Sequence, residues 1–194
     1  MDFNALHQQN QPLLLANVWD ASSAQAAQQA GYQALGSSSA AIAAMLGYED
    51  GEEMSFDELF YVVSRIKTVS ELPLSVDLEA GYGATTSHII DNIRRLAHLG
   101  VSGINLEDSH VVDSTRRLDD AERFAVKLQE ITAPVPVCLL MSAPIPFFST
   151  YKMRWFRRSI AVNSTPNTAH AVFLCLASPA RRILPPSFTT CVYP

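Results

Sequence analysis

Asp77-Leu78-Glu79 runs into Gly81-Tyr82-Gly83, and one structural unit later the chain reads Glu107-Asp108. Strand residues two apart share a face, so Asp77 and Glu79 are expected to point the same way, with Glu107 ending the next strand on the same rim. Three carboxylates in one pocket repel one another; protons must be taken up or a cation must sit between them. Oxygen ligands at that density suit a hard divalent ion, Mg²⁺ first and Mn²⁺ second, held by few protein ligands and several waters. A cation there can hold the carboxylate and keto oxygens of an α-keto acid and stabilise an enolate as it develops. Ser37 and nearby backbone N–H groups are candidates for the same oxygen or the carboxylate. A lone acid at a strand end is more simply a solvent-facing loop residue. The Asp-x-Glu-x-Gly-x-Gly spacing, with Glu-Asp one strand on, favours the metal.

The elements that must position these groups follow from pattern. Leu13 to Val18 is a short apolar run, read as a buried strand. Ala21 to Ala30 is a helix stopped by Gly31. Tyr32 to Gly36 is a weaker strand, followed by an Ala-rich turn of helix to Leu46. Ser55 with Glu58 is a capping box that opens a helix to about Ser70. Leu74 to Glu79 is the third strand, Ser87 to Leu99 a helix closed by Gly100, and Val101 to Glu107 the fourth strand. Asp119 or Asp120 caps a helix through Glu130, and Val135 to Leu140 starts a fifth strand.

Strand–helix alternation at this spacing means parallel strands with crossover helices, either an open doubly wound sheet or a barrel. No glycine fingerprint follows the first strand, where a dinucleotide fold wants one. Polar residues sit instead at successive strand ends: Asn17, Trp19 and Asp20; Ser37, Ser38 and Ser39; Asp77 and Glu79; Glu107 and Asp108. In a (β/α)₈ barrel those ends form the one face on which active sites are built. The fold class expected is therefore α/β, of (β/α)₈ TIM-barrel type. A whole barrel takes about 250 residues. Only its first half, strands one to five, is recognisable in this sequence.

Composition bounds the rest. The 194 residues are 48% hydrophobic and 17% charged, which suits a domain with a core and excludes a disordered chain. No apolar run approaches the ~18 residues of a membrane span, and the first residues do not read as a secretory signal. Cys138, Cys175 and Cys191 form neither a disulfide framework nor a metal spacing, so a reducing cytoplasm is expected. The charge is uneven. All 19 acids lie at or before Glu130 and all 8 glycines at or before Gly103. Residues 1–138 carry a net charge of −11, whereas 139–194 carry +6 with no acid and seven of the 11 prolines. The expected organisation is thus 1–138 as the N-terminal part of a barrel and 139–194 as an atypical basic, proline-rich tail.

Five stretches together resemble the phosphoenolpyruvate mutase/isocitrate lyase superfamily: Asn17-Val-Trp-Asp20, Ala34-Leu-Gly-Ser-Ser38, Leu46-Gly-Tyr-Glu-Asp50, Ser75-Val-Asp-Leu-Glu-Ala-Gly-Tyr-Gly83 and Gly103-Ile-Asn-Leu-Glu-Asp108. They stand in that superfamily's order and spacing and cover roughly Leu13 to Leu140. The resemblance implies a (β/α)₈ barrel that uses Mg²⁺ to stabilise enolates of small oxo acids while a C–C or P–C bond is cleaved or made. It implies Asp77, Glu79 and Glu107 around the metal, directly or through water, with Glu107 and Asp50 as catalytic groups. Gly36 and Ser37 would bind the substrate's carboxylate end, and Asp50 would lie on a loop that closes over the site. It also implies homo-oligomers among full-length relatives.

One departure is informative. The isocitrate and methylisocitrate lyases carry a cysteine-bearing loop after the Glu-Asp of the fourth strand; here the segment is His110-Val-Val-Asp-Ser-Thr-Arg-Arg117, without cysteine. That points to the phosphonomutase-like, hydrolase or decarboxylase members. His110 is either an acid–base substitute or a solvated loop residue. Arg116 and Arg117 either meet a substrate carboxylate or lie on the surface. After Cys138 the superfamily's expected Asn-x-Arg-Thr-Asp is absent. Read from the third base of the Leu140 codon, however, residues 140–145 can encode Asn-Val-Arg-Thr-Asp. A frameshift near Leu139 would explain the missing acids, the missing glycines and the proline excess together, and such a chain should turn over little substrate. The alternative is a non-catalytic barrel fragment with a genuine basic interaction tail, for which a nucleic acid or an acidic surface would be the partner. Neither a membrane nor a nucleic acid is the expected partner on the enzyme reading.

Overall fold

Each long helix starts at a side chain that replaces a missing intrahelical partner. Asp20 caps α2 (Ala21–Gln29) in a reciprocal box with Ser23, and Ser38 caps α3 (Ser39–Leu46). Ser55 and Glu58 form the expected box at the start of α4 (Phe56–Val69). Thr85 caps α5 (Thr86–His98), and Asp120 caps α6 (Ala121–Thr132). A short α1 (Phe3–His7) precedes them. The computed structural model describes residues 3–113 and 115–134, together with the backbone of three short strands farther on.

Between the helices run β1 (Leu15–Val18), β2 (Ala34–Ser37), β3 (Leu74–Asp77) and β4 (Gly103–Glu107), all parallel and adjacent in chain order. The register sets Asn17 beside Gly36, Gly36 beside Ser75 and Asp77 beside Asn105. A hairpin, β5 (Ser109–Val112) and β6 (Thr115–Leu118), leaves the end of β4 and is antiparallel. The fifth parallel strand, β7 (Leu139–Ala143), pairs with β4 over its whole length. Residues 135–138 of the strand expected from sequence lie outside the described residues. Two three-residue strands, β8 (Arg158–Ile160) and β9 (Val172–Leu174), extend the sheet beyond β7. The remainder of 139–194, on which the tail and frameshift expectations bear, lies outside the described residues.

Alternation sorts the two sheet faces. Leu74 and Val76 of β3 and Ile104 and Leu106 of β4 are fully buried and join one core with the helices. The helices meet them with residues at turn spacing: Leu59, Val62, Val63 and Ile66 of α4; Ile89, Ile93 and Leu96 of α5; Phe124, Leu128 and Ile131 of α6. Burying each such side chain contributes about 1.5–3 kcal/mol. The alternate positions carry polar side chains: Ser75 and Asp77 on β3, Asn105 and Glu107 on β4. The apolar face thus anchors the sheet to its helices, and the polar face delivers functional groups to the strand ends.

Candidate active site

The third strand ends two residues sooner than its sequence suggests. Asp77 is its last residue, and Glu79 lies beyond it with φ 47°. Strand alternation therefore does not set the direction of Glu79, and the expectation that it shares a strand face with Asp77 is corrected. A left-handed turn places it instead. Left-handed φ at a non-glycine residue is costly, and such residues cluster at functional sites. Among the described residues four show it: Glu52, Glu79, Tyr82 and Asp113. Three of these four hold one another. The Tyr82 hydroxyl donates to Glu79 Oε1 at 2.6 Å, and the Tyr82 N–H donates to Glu52 Oε1 at 2.7 Å.

The turn sets Glu79 against the end of β4, where the Glu107 N–H donates to the Glu79 carbonyl at 2.6 Å. Glu79 is 2% exposed. Burial is the largest cause raising its pKa, to about 7, with the Asp50, Asp77 and Glu52 charges adding and the Tyr82 hydrogen bond opposing. Glu107 is likewise raised to about 7, first by burial and then by Asp77, with Arg116 opposing. Asp77 is also raised by burial, although it accepts from the Ser39 hydroxyl at 2.7 Å and the Ser39 N–H at 3.3 Å. Asp50, in the turn between α3 and α4, repels all three.

Arg116 of the hairpin is the cation that answers them. Its Nη1 lies 2.6 Å from Glu107 Oε2 and its Nη2 2.8 Å from Asp50 Oδ2. The same loop is pressed on the hairpin at Gly51 (φ 118°), where a Cβ would come within 2.5 Å of Val111 Cγ2. Beneath this contact lies a cavity of about 240 Å³, lined by Gly51, Glu52, Glu79, Glu107, His110 and Arg116 among others.

The other expected residues take up specific places. Gly36 is buried, and a Cβ there would lie 3.6 Å from Asn17 Oδ1. Ser37 is 6% exposed, and its Oγ accepts from the Asp77 N–H at 2.9 Å, which ties β2 to β3 beneath the carboxylates. Neither residue lines the cavity beside Glu79 and Glu107. Asp20, one of the strand-end acids, is a helix cap. Sequence reasoning passed over the roles of Ser39, Glu52 and Tyr82. The signal for Tyr82 was present, since it sits in the Asp-x-Glu-x-Gly-x-Gly stretch.

The donor set fits a hard divalent cation in its chemistry. Crowded, desolvated carboxylates held partly protonated are what a cation relieves. Asn105 Oδ1 and Ser75 Oγ, on the strand faces that carry Glu107 and Asp77, are buried without a hydrogen-bond partner. Among the described residues no three Asp, Glu, His or Cys side chains already stand close enough together to ligate one ion. Each carboxylate already has a protein partner, namely Ser39, Tyr82 or Arg116. Direct ligation by all three requires those contacts to yield, whereas Mg²⁺, which keeps several waters, needs fewer.

Parallel β/α units that raise acids at their strand ends, under a loop and a hairpin, define part of a TIM-barrel-type α/β fold. The sequence profile of the phosphoenolpyruvate phosphomutase family matches residues 3–139, and the chain belongs to that family, within the phosphoenolpyruvate mutase/isocitrate lyase superfamily. The 2-methylisocitrate lyase of Escherichia coli K12 is 32% identical over 107 residues, 55% of this chain and 36% of that protein. The oxaloacetate decarboxylase of Paraburkholderia xenovorans LB400 is 35% identical over 96 residues, 49% of this chain and 32% of that protein. A candidate phosphonomutase from Burkholderia cenocepacia J2315 superposes with a TM-score of 0.65 at 36% identity, over 72% of this chain and 58% of that one. A phosphonopyruvate hydrolase solved with oxalate and Mg²⁺ shares the fold, with a TM-score of 0.65 at 20% identity, over 73% of this chain and 51% of that one. The chain spans 36% or less of the length of these curated relatives. Among the described residues no helix is long and apolar enough to cross a membrane.

Proposed function

We propose that this chain carries the metal-binding half of a Mg²⁺-dependent enzyme of the lyase and phosphonomutase type, acting on a small α-keto acid by C–C or P–C bond cleavage. One observation carries the reading: Asp77 and Glu107 end the adjacent parallel strands β3 and β4, and the turn after β3 sets a buried Glu79 against them, its carbonyl accepting from the Glu107 N–H at 2.6 Å. Asp77, Glu79 and Glu107 would hold the ion, directly or through water; Mn²⁺ is the second choice. A divalent cation there supplies positive charge to an enolate oxygen.

The chain's own residues do the positioning. Ser39 and Tyr82 fix the Asp77 and Glu79 carboxylates by hydrogen bonds. Arg116 ties Glu107 to Asp50, so the Asp50 loop and the hairpin cover the cavity together and exclude water from it. Gly36 and Ser37 are assigned to the substrate's carboxylate end, and Glu107 and Asp50 to the catalytic groups. The setting is a reducing cytoplasm, with homo-oligomers expected among full-length relatives.

Residues 139–194 are assigned to an off-frame tail, so this chain is expected to turn over less than a form in which the frame is restored. The test measures EDTA-sensitive pyruvate release from oxaloacetate and from phosphonopyruvate by both forms. Release that EDTA leaves untouched overturns the metal assignment. Equal rates in the two forms overturn the impairment. Coding DNA without Asn-x-Arg-Thr-Asp codons in any frame overturns the frameshift.

A further inference from the structure

His110 stands in the wall between two cavities. It lines the carboxylate cavity with Glu79 and Glu107, and also a neighbouring cavity of about 310 Å³ bordered by Phe124 and Lys127. Its ring is held in place. His110 Nδ1 lies 2.7 Å from Asp119 Oδ1. An ionised carboxylate only accepts, so Nδ1 carries the hydrogen and Nε2 is left as the exchangeable nitrogen. The pair is built into the hairpin base. His110 lies in β5 opposite Arg117 of β6, and the Asp119 N–H donates to the Asp108 carbonyl at 2.7 Å, closing the two ends. The imidazole is 47% exposed, open enough to exchange protons with solvent.

The charges around it pull both ways. Asp119 and Asp120 stand on the outer cavity beside it, where Arg123 and Lys127 of α6 also border, and Arg116 borders the inner one. Of the side chains on the inner cavity, Glu79 and Glu107 are assigned to the cation, Glu52 accepts from the Tyr82 N–H, and Arg116 stays charged. His110 is the remaining ionisable side chain on that cavity.

We infer that His110, oriented by Asp119, is the acid–base residue that protonates the carbon of the enolate left when the bond is cleaved. The balance is simple. The C–C or P–C bond breaks and its electron pair goes into the enolate; the other fragment leaves as a carbonyl compound or carbon dioxide, or, for a P–C bond, the phosphoryl group passes to water. Nε2–H gives its proton to the enolate carbon, the keto acid forms, and the neutral imidazole takes a proton from water. A mutase returns the transferred group to the enolate oxygen and needs no such proton. The His110–Asp119 pair therefore assigns this chain to the cleaving, proton-adding reactions. This rests on the enzyme reading above.

The reverse half-reaction tests it without any cleavage step. With Mg²⁺ present in D₂O, the protein is expected to exchange the methyl hydrogens of pyruvate. His110→Gln is expected to slow that exchange at least tenfold while oxalate affinity, measured by calorimetry, changes less than twofold. A second readout needs no reaction. ¹⁵N NMR is expected to show His110 as the Nδ1–H tautomer when neutral, to lose that preference in Asp119→Asn, and to shift on oxalate binding. Exchange that survives His110→Gln, or a His110 signal indifferent to bound oxalate, overturns the inference and leaves the enzyme reading standing. Failure of the wild-type protein to bind oxalate with Mg²⁺ overturns both.

Discussion

Glu107 and Arg116 form the shortest ion pair among the described residues, Oε2 to Nη1 at 2.6 Å, and the same guanidinium reaches Asp50 at 2.8 Å. One side chain from the hairpin thus joins the end of β4 to the loop between α3 and α4. Among the described residues it is the one lysine or arginine bordering the inner cavity, against three carboxylates there.

Removing it should leave Glu107 buried beside like charges. Arg116 is 26% exposed and Glu107 14%, so the cost falls between surface and fully buried pairs. Arg116→Gln is expected to lower metal-free stability by about 2 kcal/mol. Added Mg²⁺ should restore more in this variant than in the wild type, because the ion takes over the guanidinium's neutralising role. Urea denaturation with and without Mg²⁺ measures both. Equal Mg²⁺ effects would show that arginine and ion do not serve the same charges.

The raised carboxyls also set a pH dependence. Glu79 and Glu107 sit near 7 in the folded protein against an ordinary value of 4.5. Between those values the folded state holds protons that the unfolded state has lost, so stability falls as pH rises. The contribution is complete below about 4.5 and gone above about 7. Each proton is worth at most ~1.4 kcal/mol per pH unit. Metal-free urea midpoints are expected to decline from pH 5 to pH 7. Mg²⁺ should flatten that decline, since binding requires the deprotonated groups. A metal-free midpoint that rises over this range would contradict the burial of these acids.

Much of this architecture was legible in the sequence. The Ser55–Glu58 box, the glycine after the α2 segment and the apolar run at Leu74 each announce an element by local chemistry, and the structure places those elements within two residues or so. The hairpin was not legible: residues 109–118 lack the alternating apolar pattern of a strand pair, and their pairing rests on backbone bonds and on ion pairs to distant residues. At the site, Asp77, Glu79 and Glu107 could be picked out because their motif is local. Their partners could not. Ser39 meets Asp77 across 38 residues, and Arg116 meets Asp50 across 66. The direction of Glu79 depends on a left-handed backbone that the rule of alternation cannot foresee.

Tyr82 offers a finer probe of that turn. Its hydroxyl donates to Glu79 Oε1 at 2.6 Å and holds the Glu79 pKa down against burial. Tyr82→Phe should therefore move Glu79 further above 7 and shift the onset of Mg²⁺ binding to higher pH. The stability cost should be about 1.5–3 kcal/mol above pH 7, where the lost hydrogen bond is to a charged acceptor, and less at pH 5. Carboxyl-carbon NMR titration reads the pKa directly. A downward shift would mean that the phenol does not favour the ionised form.

Gly81 tests whether the turn itself is obligatory. Its φ is 117°, and a Cβ there would lie 2.8–2.9 Å from three side-chain atoms of Ile89 on α5. Gly31 has φ 84° with nothing within 4 Å of that position. Gly31→Ala carries the conformational cost alone, about 1 kcal/mol. Gly81→Ala adds the overpacking of a core residue, for a total of about 2–4 kcal/mol. The Asn92 amide also donates to the Gly81 and Tyr82 carbonyls at 3.1 and 3.0 Å, so a displaced Gly81 drags the Glu79 turn with it. Gly81→Ala should accordingly weaken Mg²⁺ binding more than tenfold at pH 8, whereas Gly31→Ala leaves it within twofold. Denaturation and metal titration of the two variants separate a generic glycine effect from one transmitted through Ile89 to the carboxylates.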